Sequence, residues 1–313
     1  MKVLKPLALI GALACALSTN VQAAELNKIG ISLGSMGNPF FVALANGAEA
    51  RAKKINPNVE VLSMGYDYDL GKQFNQIDNF IAAGVDLILL NPGDPHAIAP
   101  AIKRAQKAGI TVVSVDTAAE GSDATVTTDN VSAGAVACKY IVEKLGGKGN
   151  VIIQNGPQVS AVIDRVDGCK NEFAKAPGIK VLSDDQDGKG SRDGGMAVML
   201  GHLTRYSQID AVFAINDPQA IGSLLAAKQL KRNNIVITSV DGAPDIVDAL
   251  KDPNMAMIQA SGSQDPYHMA EMAVELGNKL LNHEKLDQDV MLLPSQLVTR
   301  DNVTAYKGWD AAR

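Results

Sequence analysis

Gly34-Ser35-Met36-Gly37-Asn38-Pro39-Phe40-Phe41 joins a short apolar run, Ile29 to Leu33, to an amphipathic stretch, Phe41 to Lys54. The run reads as a buried strand and the stretch as a helix. Pro39 suits the first turn of that helix, where a missing N–H costs nothing. A strand, a glycine-rich loop and a helix in this order open a doubly wound α/β fold, in which ligands bind outside the carboxyl ends of the strands. The loop lifts an amide, Asn38, and two rings, Phe40 and Phe41, to that end. A ring can cover the C–H face of a sugar, and an amide pairs with a hydroxyl as donor and acceptor. The competing reading is that both rings are core.

The same alternation continues outward from this loop. Val59–Met64, Leu87–Leu90 and Thr111–Val115 read as further strands, with helices over 72–83 and 97–108 between them. Gly84 and Gly109 stand where glycine closes a helix. The pattern restarts with strands at Val151–Gln154, Ile179–Leu182, Ala211–Ile215 and Val236–Val240 and helices near 160–175, 192–205 and 217–230. Further helices are expected over 244–251 and 266–282. Two successive βα sets predict an α/β protein of two doubly wound parallel-sheet lobes.

The first residues bear on location. Lys2 and Lys5 precede an apolar segment, Leu7 to Leu17, too short to span a bilayer, and Val21-Gln22-Ala23 offers small residues before a cut. Residues 1–23 read as a cleavable signal peptide, so the mature chain starts at Ala24 and is exported to the periplasm. Cys15 as an acylation site is the alternative, although Ala12-Leu13-Ala14 matches such a signal poorly. The mature balance of 27 basic against 34 acidic residues, net −7, argues against nucleic-acid binding. About 290 mature residues suggest two domains.

Cys138 and Cys169 remain after cleavage. In an oxidising compartment a pair is expected to be bridged. They fall on expected helices, Val131 to Leu145 and Ser160 to Lys175, flanking the strand Val151–Gln154. Such helices can pack on one face of a sheet, within disulfide reach. Two buried thiols are the alternative.

Polar residues at strand ends are the site candidates. Asn91, Asp94 and Asp217 read as caps or turn residues. Asp116, Asn216 and Asp241 read as ligand contacts, because they project where a crevice between lobes would lie. Four scattered histidines, His96, His202, His268 and His283, lack metal-ligand spacing, and no Gly-x-Ser-x-Gly elbow appears. Neither a catalytic residue nor a cofactor is expected. Gly188-x-Gly190 hints at a dinucleotide loop, but Asp184, Asp185 and Asp187 before it would repel a pyrophosphate. A calcium loop at the same place lacks its later bidentate glutamate.

Taken in order, Asn38-Pro39-Phe40-Phe41, Leu89-Leu90-Asn91-Pro92, Val115-Asp116, Thr128-Asp129-Asn130, Phe213-Ala214-Ile215-Asn216-Asp217, Val240-Asp241-Gly242 and Gln264-Asp265-Pro266 resemble the ribose-binding type of periplasmic sugar-binding proteins of ABC importers. These are related to the sugar-binding part of LacI-type repressors, and the resemblance covers nearly the whole mature chain. A repressor itself is excluded by the export signal and by the lack of a DNA-binding segment before Ile29. The resemblance implies the type I periplasmic binding protein fold, with three crossings between lobes near Thr128, Gln264 and Leu292. Residues 24–128 and 265–291 would form the first lobe, and 129–264 and 292–313 the second. Asn38, Asp116, Asn216, Asp241 and Gln264 would bond the sugar, Phe40 and Phe41 would stack on it, and Arg165 would either reach it or brace the second lobe.

Departures from the ribose pattern concern the ligand. Thr117, which would face the ligand, stands where ribose binders have arginine, and Ile163 where they have another. A phenylalanine expected near Gly190 is absent. Residues 260–263, Ala-Ser-Gly-Ser, look like extra length before Gln264. Another monosaccharide or a sugar-derived polyol fits better than ribose. The expected partners are that ligand and an ABC permease in the inner membrane, with the binding protein a monomer that involves no nucleic acid. Import and presentation of the ligand to a chemoreceptor both use a closed form and stay open as alternatives.

Overall fold

The computed structural model describes residues 25–309. The expected signal peptide, the cut before Ala24 and the Cys15 alternative lie outside these residues.

The chain begins with β1 (Lys28–Leu33), α1 (Pro39–Ile55), β2 (Glu60–Gly65), α2 (Leu70–Ala83), β3 (Leu87–Leu90), α3 (Ala99–Lys107), β4 (Thr111–Val115) and β5 (Ala124–Thr128). It continues with α4 (Asn130–Lys144), β6 (Lys148–Gln154), α5 (Ser160–Ala174), β7 (Gly178–Ser183), α6 (Arg192–Arg205), β8 (Ala211–Ala214), α7 (Asp217–Gln229), β9 (Val236–Asp241), α8 (Pro244–Lys251) and β10 (Ile258–Ser263). It ends with α9 (Pro266–Leu281), β11 (Val290–Leu293) and β12 (Leu297–Thr299). Two sheets result, ordered β11-β5-β4-β3-β1-β2 and β12-β10-β9-β8-β6-β7. All pairings are parallel except that of β12 with β10. Central strands such as β3 and β8 are buried throughout, as a parallel sheet covered on both faces requires. Each sheet carries apolar clusters on both faces, so each is a doubly wound lobe.

Helix starts follow their caps. Asn38, Asp69, Asp129, Ser191, Asn216 and Asp265 each accept a backbone N–H of the helix they precede. Gly84 closes α2 in the left-handed conformation, φ 64°.

Helices α4 and α5 touch backbone to backbone. A Cβ on Gly134 would lie 2.0 Å from the Arg165 carbonyl oxygen, and one on Gly168 would lie 2.1 Å from that of Val131. Only glycine permits this approach. It brings Cys138, one turn beyond Gly134, to a Cα separation of 5.1 Å from Cys169, and the two form a disulfide.

Four strands were not expected from the sequence. Residues 260–263 are not extra loop length but the buried end of β10, between β9 and β12. Their small residues give no hydrophobic signal because α4 packs close: a Cβ on Gly262 would meet the Ala133 carbonyl at 3.1 Å. The third passage between sheets also differs. Leu292 lies inside β11, paired with Thr127 of β5, and the chain leaves the first sheet only after Leu293. Pro294, with no N–H for a ladder, follows at once. The tail does not stay with the second lobe. Val303 and Tyr306 pack on its core, but Trp309 joins the first-lobe core and meets Phe40 edge-on at 5.8 Å.

Two stability measurements check this account. Replacing both cysteines by alanine should cost about 3–4 kcal/mol in urea unfolding, from the loop entropy of a 31-residue separation. Gly134→Ala should cost about 2 kcal/mol or more by forcing α4 off α5; an unchanged midpoint would contradict the close helix contact.

Candidate functional site

All of the expected ligand contacts line one cavity at the carboxyl ends of both sheets. Asn38, Phe40, Phe41, Asp116 and Thr117 come from the first lobe, and Arg165, Asn216 and Asp241 from the second. Gln264 stands at the passage between them, directly after β10. The free volume inside the cavity is about 40 Å³. Its apolar wall includes Pro157, Val159, Val162 and Ile215. A direct bond spans the lobes nearby, from the Ala118 N–H to Ser160 Oγ at 2.7 Å.

Phe40 and Phe41 are both core and cavity wall. Each is nearly fully buried, and their rings meet edge-on at 5.4 Å. Asn38 uses Oδ1 to cap α1 through the Phe40 N–H at 3.0 Å. Asn216 likewise caps α7 through the Gln219 N–H and donates Nδ2 to the Gly190 carbonyl at 2.9 Å.

Asp116 sits in the left-handed region, φ 67°, directly after β4. Asn91 Nδ2 donates to its Oδ2 at 2.9 Å and to Thr117 Oγ1 at 3.0 Å, and Thr117 Oγ1 donates to the Pro92 carbonyl. Asn91 is therefore not a cap, as its place in a turn sequence suggested. It lines the cavity and orients the first-lobe carboxylate. Asp94 does serve the turn, accepting the His96 and Ala97 N–H groups.

In the second lobe, Arg165 donates Nε to Asn130 Oδ1 at 2.8 Å and Nη1 to the Ile215 carbonyl at 2.8 Å, with Nη1 also 3.5 Å from Asp241 Oδ1. Gln264 Nε2 donates to Asp241 Oδ1 at 2.8 Å, and Gln264 Oε1 accepts from Thr128 Oγ1 at 2.8 Å. Asp217 does not cap its own helix, a task that falls to Asn216. Its buried carboxylate accepts from Ser239, Ser261 and the Ala243 N–H. The nearest signal was Ser261 in β10, which reads as a loop because serine is uncommon in strand cores.

Burial dominates the electrostatics. It pushes the Asp116 carboxyl up to about 6 and Asp241 up to about 7, with Arg165 opposing both shifts. Asp217 is raised well above the ordinary carboxylate range by burial and by the neighbouring Asp241 charge. Carboxyls held this far from water are ready to exchange a poor environment for ligand hydroxyl donors.

Two aromatic residues of the site escaped the sequence reading. Tyr68, in the loop after β2, lines the cavity and packs against Phe41 at 6.4 Å. It reaches from the first lobe toward Gly190, where an added Cβ would lie 3.6 Å from its hydroxyl. Trp309 donates Nε1 to the Asp241 and Gln264 carbonyls at 3.2 and 3.0 Å. No helix among the described residues is long and apolar enough to cross a membrane, and no group of side chains among them has the makings of a metal site.

Comparison with known proteins agrees with this architecture. Residues 29–285 match the family model described as a periplasmic binding protein domain. The chain is 33% identical over 276 residues to the ribose import binding protein of Bacillus subtilis, covering 87% of each. It is 29% identical over 299 residues to the xylitol-binding protein of Mycolicibacterium smegmatis, covering 94% of this chain and 83% of that one. A periplasmic solute-binding protein of an ABC transporter from Actinobacillus succinogenes, solved with bound D-allose, superposes with a TM-score of 0.81 at 26% identity, covering 90% of this chain and 100% of that one.

The raised carboxyls set a pH dependence. The folded protein holds a proton on Asp116 that the unfolded chain has lost, from the ordinary value of 3.8 up to about 6. The stability this carries is complete below that window and is lost as pH rises through it. Asp116→Asn should therefore gain stability relative to the unsubstituted protein between pH 4 and pH 7, by on the order of 2 kcal/mol. Urea unfolding of ligand-free protein at both pH values reads this difference; a constant gap would contradict the assignment.

Proposed function

The chain belongs to the periplasmic binding protein family, and we propose on that footing that it captures one monosaccharide or sugar-derived polyol between its lobes and delivers it to an ABC importer. The observation that carries this reading is the cavity. Two carboxylates, four amides, a guanidinium and aromatic rings converge there from both lobes. Such a set offers acceptors and donors at fixed angles for neighbouring hydroxyls, with rings for the C–H faces.

Contacts from both lobes make the ligand a closing agent. Asp116 and Asn38 can reach it from one side and Asn216 and Arg165 from the other only when the cleft is shut. The ligand then stabilises the closed form by its differential contacts. A permease in the inner membrane reads that form. Within this scheme the protein works as an exported monomer, and the Cys138–Cys169 disulfide suits an oxidising periplasm.

Thr117 is the reason to look beyond ribose. It replaces a charged fork with a short hydroxyl already bonded to Asn91 and Pro92. One fewer cationic donor suits a ligand whose ring oxygen or chain conformation differs. The breadth among relatives, named for ribose and xylitol, supports this.

A thermal-shift screen of ligand-stripped protein against pentoses, hexoses, furanose-preferring sugars and polyols tests the reading. One class should stabilise by about 2.7 kcal/mol at 100-fold over its Kd. Asp241→Ala should weaken that ligand by at least about 30-fold, since it strips a charged acceptor and leaves Arg165 and Gln264 short of a partner. Absence of any shift across the panel would refute carbohydrate binding.

A further inference from the structure

Two features remain unused by this reading, and they meet at the mouth of the cleft. The first is an outer cavity of about 550 Å³, open to solvent, whose polar rim includes Asp67, Lys189, Ser191, Arg192 and Asp245. Asn38, Tyr68 and Gly190 line both this cavity and the inner one. These three residues are the partition between them.

The second feature is the backbone on either side of that partition. Asp67 and Tyr68 are successive left-handed residues, φ 53° and 58°, and neither is glycine. Lys189 and Gly190 repeat the arrangement on the opposite lobe, φ 56° and 60°. L residues adopt this conformation rarely, so the surrounding structure must hold it. Tyr68 is held by ring contacts with Phe41 at 6.4 Å and Tyr66 at 5.9 Å. Gly190 is clamped at both ends, its N–H donating to Gln219 Oε1 at 2.8 Å and its carbonyl accepting from Asn216 Nδ2 at 2.9 Å. A Cβ on Gly190 would stand 3.6 Å from the Tyr68 hydroxyl. A phenol carried by one lobe therefore abuts a fixed, side-chain-free stretch of the other.

We propose that Tyr68 is a specificity-determining residue: packed across the cleft against Gly190, it shuts the inner cavity off from the outer one and excludes sugars and polyols bearing a substituent that would run out through the mouth. The inference rests on the carbohydrate reading of the inner cavity. Shortening Tyr68 joins the two cavities and opens the polar rim around Lys189 and Arg192 to the added group.

Calorimetric titration of ligand-stripped protein tests the proposal. The probes are D-ribose, D-allose, xylitol and myo-inositol, together with mono-O-methyl derivatives of each, one hydroxyl at a time. The unsubstituted protein and Tyr68→Phe should bind a parent compound and reject at least one of its methyl derivatives by 100-fold or more. Tyr68→Ala should bind that derivative within tenfold of the parent compound. Tyr68→Leu, which retains apolar packing on Phe41, should behave likewise and serves if the alanine variant unfolds. The proposal is overturned if the short variants reject the same derivatives as the unsubstituted protein. It is also overturned if they lose the parent compound while remaining folded, which would make Tyr68 an ordinary ligand contact. Binding of no probe by the unsubstituted protein would instead refute the carbohydrate reading, and the inference with it.

Discussion

Burying the Asp241 carboxylate obliges the surrounding chain to supply donors, and these come from separate elements. Gln264 Nε2 reaches it from the passage after β10, the Asp217 N–H from the start of α7, and the Arg165 guanidinium from α5. The carbonyl of the same residue accepts the Gln264 N–H and Trp309 Nε1. A buried charge is tolerable only when paired and hydrogen-bonded, so these partners cannot drift independently. Gln264 binds Thr128 in turn, and Arg165 binds Asn130. The two neighbouring passages of chain between the sheets are thus tied to one carboxylate that also faces the ligand cavity. The carboxylate that lines the cavity also ties these passages together.

The rigidity of each lobe is what makes such coupling useful. Glycines let α4 lie directly on α5, and the Cys138–Cys169 bond fixes the pair. Helices α6 and α7 meet in the same way, since a Cβ on Gly222 would lie 2.1 Å from the Arg192 carbonyl. Interiors packed this closely do not deform gradually. On the proposed reading, a ligand bonded to Asp116 and Asn216 moves whole lobes about the passages between them. Tyr68 and Gly190 come together at the far edge of the cleft.

The electrostatic character of the site comes from desolvation more than from any ion pair. Asp116 and Asp241 are both raised, and the lining includes a single guanidinium to offset them. Polar side chains already bonded to protein, such as Asn91 and Thr117, set angles more than they supply charge. Hydroxyl-rich ligands suit such a lining because each hydroxyl donates one proton along a defined direction. Discrimination then follows from the direction and number of donors the ligand offers.

Much of the architecture was legible in the order of residues alone. Period and closing glycines located β1, β3, β4, β8 and β9 and the helices between them, because buried parallel strands are continuous apolar runs and glycine ends the helix before it. The same strand ends exposed Asn38, Asp116, Asn216 and Asp241, since a doubly wound sheet places ligands there. The cysteine pair was also readable, from the compartment and the helices that carry it. What the sequence by itself could not decide depends on partners distant along the chain. β10 is a strand only because α4 covers its small residues, and Ser261 is buried only because Asp217 needs its hydroxyl. Asn91 looks like a turn residue until Asp116 is seen 2.9 Å away. Tyr68 and Trp309 belong to the site through backbone conformation and the path of the tail, which local periodicity does not encode. Local propensity and pattern are properties of neighbouring residues; which buried polar group meets which donor is settled only when two lobes and a returning tail are packed together.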